Sequence, residues 1–168
     1  MSIIKKILFI ILVTFFINEV NAEEVKKIGK FKDGETIVIN KNSELLCFAH
    51  STPIIQSPKA SPREARLFVS FRPNEKVADE ISITAGYEFN KKNTITAKSG
   101  KNKYKFDTTQ DNFAWIADNK QEKKMIKTMK KGSRIMLTGY NQKGSQTIDH
   151  YSLLGFTKAY NTAKKICS

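Results

Sequence analysis

Few side chains in this chain could do bond-making or binding chemistry, and they fall into three groups. The first is the pair Cys47 and Cys167, the only two cysteines, 120 positions apart. In an oxidising compartment such a pair reads as a disulfide closing most of the chain on itself, with two buried thiols as the alternative. Neither cysteine has a second thiol or a histidine at the spacing a metal site uses, so no metal or other cofactor is expected. The second group is Asp149-His150 with Ser152, which suggests a hydrolytic triad. Adjacent residues on a strand face opposite sides, so 149 and 150 should not aim at one point. Both histidines, His50 and His150, are expected to be surface residues, and Asp79-Glu80 a solvated pair in a turn. No P-loop, nucleophile elbow or glycine-rich dinucleotide turn is present, and the chain is not expected to be an enzyme. The third group is Lys123, Lys124, Lys127, Lys130 and Lys131, a candidate surface for an anionic partner. The alternative is a solvated helix face whose last lysines suit the helix C-terminus. No aromatic residues interleave with these lysines, so nucleic acid is not the expected partner.

The start of the chain sets the compartment in which these groups would act. Lys5 and Lys6 precede an apolar run over residues 7–17, broken only by Thr14. Val20-Asn21-Ala22 then offers small residues to a signal peptidase. The run is too short to span a bilayer, which takes about 20 residues. Residues 1–22 are therefore expected to be a signal peptide cut after Ala22, and the protein to be periplasmic or secreted. Removing the first 22 of 168 residues leaves 146, one domain by size, with no transmembrane helix expected in it. The cut removes two lysines and one glutamate, so the formal charge falls from +13 to +12. Such a surface attracts acidic lipid, acidic glycan and other polyanions. Lysine supplies 25 of the 29 basic residues, however, and isoleucine and asparagine are also abundant. An A/T-rich coding sequence would produce the same bias, and both explanations stand open.

The elements that must position these residues are mostly strands. Residues 23–33 are charged and read as a loose leader, followed by a first strand at Ile37 and Ile39. Leu46 and Phe48 bracket Cys47 on the next strand. Residues 52–65, with Pro53, Pro58 and Pro62, read as a surface loop. Leu67, Val69 and Phe71 alternate with polar neighbours, and Ile81-Ser82-Ile83-Thr84-Ala85 alternates most clearly. Strands over 94–98 and 103–107 should meet at Ser99-Gly100, with Tyr104 and Phe106 inward. Phe113 and Trp115 mark another strand and are expected in the core. Ile135 and Leu137 define a strand whose partner covers 147–153. A helix is expected over 120–131, with Met125, Ile126 and Met129 buried and either Asp118 with Gln121 or Asn119 with Glu122 as its cap. A second helix over 158–166 should be capped by Thr157 and bury Ala159, Ala163 and Ile166. The expected fold is mainly β: a small β-sandwich or barrel-like domain of eight or nine strands, with one lysine-rich helix and one C-terminal helix.

Several blocks resemble the invasion-associated locus B proteins of bacterial envelopes. They are Ala85-Gly86-Tyr87-Glu88-Phe89, Ala114-Trp115, Met129-Lys130-Lys131-Gly132-Ser133 and, most specific, the run from Gly144 through Asp149-His150-Tyr151 to Phe156, with Cys167 closing the helix behind it. Cys47-Phe48-Ala49 and Phe71-Arg72-Pro73 are similar to earlier blocks of that family, whereas the tryptophan many members carry before the first cysteine is missing. The resemblance covers the β domain (44–168), which follows the expected signal peptide (1–22) and a leader with the first strand (23–43). It implies an exported, mainly β envelope protein linked to host-cell invasion, and it brings no catalytic residues. The function expected is binding without catalysis, to an anionic surface of the envelope or of a host. A small-ligand carrier with a pocket between sheets and a hydrolase built on Asp149, His150 or Ser152 are the competing readings.

Overall fold

The computed structural model describes residues 24–60 and 62–168; the expected signal peptide lies outside them. Twelve strands build two antiparallel sheets. They are β1 (Glu24–Phe31), β2 (Gly34–Lys41), β3 (Glu44–Ser51), β4 (Ile55–Ser57), β5 (Ala65–Arg72), β6 (Val77–Ala85), β7 (Ile95–Ser99), β8 (Asn102–Phe106), β9 (Thr108–Gln110), β10 (Phe113–Trp115), β11 (Arg134–Tyr140) and β12 (Gln146–Ser152). The larger sheet has seven strands in the order β1-β2-β3-β5-β6-β10-β9, and the smaller has five in the order β4-β12-β11-β7-β8. Helices α1 (Asn119–Lys131) and α2 (Phe156–Ile166) complete an open, sandwich-like fold rather than a closed barrel.

Strict apolar–polar alternation places one row of each sheet inside. Leu67 and Val69 of β5, Ile81 and Ile83 of β6 and Ala114 of β10 join Ile95, Ala97, Tyr104, Phe106, Ile135, Leu137 and Tyr151 in one buried cluster. Phe113 and Trp115, expected inside, are instead half-buried on the outer face. The register Ala114↔Ile83 makes the small residue between them the inward one. In a three-residue strand the phase is set by the neighbour, not by which residue is most apolar.

Residues 24–31 are not a loose leader. They pair along β2 as an edge strand, with a register shift between Lys27 and Gly29. Lys26, Lys27 and Lys30 with this bulge discourage pairing with another chain. The expected loop over 52–65 contains β4, which pairs with β12 through Asp149↔Gln56. Arg63, just beyond it, clasps the two sheets. Its guanidinium donates to both Asp149 carboxylate oxygens at 2.6 and 3.0 Å on β12 and to the Ala85 carbonyl at 3.1 Å on β6.

The two helices close the core side by side, α1 against β6 and β8 and α2 against β2 and β3, and touch each other where Lys130 meets Tyr160. Asp118 caps α1 by accepting from the Lys120 N–H at 2.7 Å. Glu122, weighed as a capping partner, is buried instead and accepts the Ile81 N–H of β6 at 2.9 Å. Burial pushes its carboxyl above the usual carboxylate range. Helix α2 starts at Phe156, two residues earlier than expected, and Gly155 rather than Thr157 holds the cap position with φ 87°. A side chain there would collide with the Phe31 carbonyl, so glycine is required twice over. The buried stripe runs Phe156, Ala159, Tyr160, Ala163, and Cys167 follows in phase. Ile166, in the last turn at the edge of that stripe, is exposed. Cys167 is disulfide-bonded to Cys47 on β3, with Cα atoms 6.0 Å apart, as the cysteine count and compartment suggest. The Thr36 hydroxyl donates to the Ala159 carbonyl at 2.9 Å, a second tie between α2 and the larger sheet.

Candidate functional site

The five lysines of α1 do not form one surface. Lys130 folds inward, its Nζ 3.6 Å from the centroid of the Tyr160 ring. Burial lowers its pKa from the ordinary lysine value, with Asp79 opposing that shift and Lys164 adding to it. Lys123 is exposed and lies outside the groove that the other three share. Lys124, Lys127 and Lys131 line an open groove of about 640 Å³. Two cations that the helix pattern could not reveal complete it: Lys101 from the β7–β8 turn and Arg134 at the start of β11. Ser99, Asn102, Thr128 and Ser133 supply hydroxyl and amide groups, and no carboxylate lines the groove.

Each wall of the groove has a local cause. Tyr104 of β8 packs under α1, and its hydroxyl meets the Thr128 hydroxyl at 2.6 Å. This fixes the rotation of the helix that turns Lys124, Lys127 and Lys131 toward the β7–β8 turn. Gly100, at φ 56°, makes that turn, while Ser99 donates to the Arg134 carbonyl at 2.8 Å and locks it to β11. The cationic surface continues onto the outer face of the smaller sheet, where Lys98 pairs across from Lys103 and Thr96 from Lys105. None of Lys98, Lys101, Lys103, Lys105, Lys124, Lys127, Lys131 and Arg134 forms an ion pair among the described residues. Unrelieved like charge on this scale is unfavourable by itself and creates a field that concentrates anions.

The other candidate side chains are separated. Asp149 is buried in its bidentate pair with Arg63, and His150 lies on the opposite side of β12. Ser152 Oγ accepts the Leu154 N–H at 3.2 Å, so the three do not converge on one cleft. His50 is not a surface residue: it is buried and stacked on Phe68, with ring centroids 5.5 Å apart. Asp79 and Glu80 are not in a turn but in β6. Glu80 accepts from Arg72 at 2.7 and 3.1 Å, and Asp79 accepts the Tyr160 hydroxyl. Among the described residues, no group of three or more His, Cys, Asp or Glu side chains could hold a metal ion, and no helix is long and apolar enough to cross a membrane.

No curated protein and no solved structure is significantly similar to this chain. The family model for the Invasion associated locus B (IalB) protein matches residues 40–164, from β2 to the last turn of α2. That match spans the strand of Cys47, all of α1, α2 as far as Lys164 and every strand that forms the groove, and the chain belongs to the invasion-associated locus B family.

Proposed function

We propose that this protein is exported, works without catalysis, and binds a polyanionic surface through the groove between α1 and the β7–β8 turn. The observation that carries the reading is convergence. Cations from α1, the β7–β8 turn and β11 meet with no carboxylate among them, beside a sheet face bearing three more lysines. Export follows from the sequence of the first 22 residues and agrees with the Cys47–Cys167 disulfide, which an oxidising compartment sustains. That compartment favours acidic lipid or acidic glycan over nucleic acid. The family name adds host-cell invasion as a setting, in which the glycan would belong to a host surface.

Binding of the mature, disulfide-bonded protein to vesicles containing acidic lipid and to a sulfated glycan tests this. Affinity should fall steeply between low and high salt. With each lysine near an anionic surface contributing about 1 kcal/mol, reversing Lys124, Lys127 and Lys131 together to glutamate should weaken binding by roughly a hundredfold or more. Lys123→Glu should change it far less. The vesicle and glycan arms tell the two sources of charge apart, and unchanged binding by the triple variant would overturn the proposal.

A further inference from the structure

The outer face of the larger sheet differs from the rest of the surface. Ile37, Phe48, Phe68, Phe113 and Trp115 stand on it, all half-buried. The rings form a continuous row: Phe48 to Phe68 at 6.1 Å, Phe68 to Phe113 at 6.4 Å, and Phe113 to Trp115 at 5.8 Å. They are not an extension of the core, whose partly buried flanking residues are Phe31, Leu45 and Tyr87. Charge on this face is present but cancelled. Two of the chain's four arginines lie here, Arg66 against Glu64 at 2.6 Å and Arg72 against Glu75 and Glu80 at 2.9 and 2.7 Å. Lysine stands at the margins of the face: Lys27 and Lys30 pair with Glu35 at 2.8 and 3.7 Å on the β1–β2 rim, and Lys76 shares a concavity with Glu80 and Trp115.

We infer that a second copy of this chain docks on this face, sheet against sheet. Three observations commit the face to that occupant. A mature chain of formal charge +12 repels its own copies, and pairing of the opposing charges here makes this a face on which two copies meet less of that repulsion. Aromatic residues with arginine in place of lysine form the composition of an interface centre, in a chain whose basic residues are otherwise nearly all lysine. The area also suffices. With strands about 4.8 Å apart and residues about 3.4 Å apart, a seven-stranded face offers roughly 700 Å² per copy, and two such faces bury about 1,400 Å², the size of a stable interface. The pairing is isologous, and stacked sheets would sit about 10 Å apart. Both cationic grooves lie off this face and remain uncovered.

Trp115, the only tryptophan, lies on the face and reports its occupancy. Sedimentation of the mature, disulfide-bonded protein over a wide concentration range should show the mass doubling. The Trp115 emission should shift to the blue with the same midpoint. Phe68→Arg should weaken the association by about thirtyfold or more, the loss expected at a central anchor, with the far-ultraviolet circular dichroism and the disulfide unchanged. If that variant does not fold, Phe113→Arg on the short strand β10 serves in its place. A monomer at every concentration, or a dimer unaffected by a folded variant, would overturn the inference. So would a monomer whose Trp115 is shielded by a neutral oligosaccharide or a zwitterionic vesicle, because the face would then belong to that ligand. None of these outcomes bears on polyanion binding by the groove, which is read separately.

Discussion

The two sheets follow the same inward rule and opposite outward ones. Both bury alternate apolar residues against each other, and that sets nothing on their outer faces. On the smaller sheet the outer face holds Lys98, Lys103, Lys105 and Arg134 toward β7 and β8, without a carboxylate to pair with them, and Met136, Ile148 and Ile55 toward β4. On the larger sheet it holds a row of rings flanked by arginine–glutamate pairs. A coding bias toward lysine would scatter the charge over both faces. The segregation instead argues that the net charge has a purpose on one side of the molecule. It also shows why a whole-chain charge of +13 is a poor guide to any single surface.

If the two faces are separate surfaces held by one interior, loosening that interior at a chosen point should disturb one before the other. The disulfide gives the largest test. Replacing Cys47 and Cys167 with alanine opens a loop spanning 120 residues, and chain entropy puts the cost at about 4–5 kcal/mol, measurable by urea unfolding. The bond ties α2 to β3, which carries Phe48 and His50 outward. Hydrogen exchange should therefore rise first in β2, β3 and α2, while α1 and β7–β8 keep their protection. An even rise across both sheets would show that the faces are not mechanically distinct. Arg63→Ala comes next. It leaves Asp149 charged and buried without its partner, a change that typically costs about 3–5 kcal/mol. Because Arg63 spans β12 and β6, both faces should loosen together. Arg63→Lys, which keeps the charge but not the fork of donors, should recover only part of the loss.

What could be read from the sequence follows the range over which each feature is determined. β5, β6, β7, β8, β11 and β12 were legible because period-two alternation is local, and the cysteine pair because compartment and count suffice for it. β1, β4 and β9 were not, since short or charged segments become strands only when a neighbour offers a ladder. The groove was half legible. Helical spacing showed the lysines of α1, but not that Lys130 turns onto Tyr160 from α2. Lys101 and Arg134 join the groove only through the pairing of β11 with β7, which joins segments far apart in the chain. Arg63 lay in what reads as a proline-rich loop. A lone arginine among prolines gives no signal of the buried carboxylate it will meet 86 positions later.

The smallest expected effect separates the faces by acidity. His50 is buried on the aromatic side, between Phe68, Arg66 of β5 and Glu35 of β2, with Lys27 of β1 nearby. Burial, chiefly, and the charges of Arg66 and Lys27 hold its imidazole below the ordinary value of 6.5, while Glu35 opposes them. The unfolded chain therefore takes up this proton first as the pH falls. His50 adds stability that is fully present above the ordinary histidine range and is lost as the pH falls through the lowered folded value. Protonation would also place an uncancelled cation beside Arg66 on a face whose charges otherwise cancel. Self-association should thus weaken only as the pH falls below the ordinary histidine range, through the lowered folded value, and His50→Gln should flatten that dependence. Polyanion binding by the groove should not weaken over the same interval, because His50 lies on the other sheet and one more positive charge can only favour an anion. If acid weakened both activities in parallel, the two faces would be one surface read in two ways.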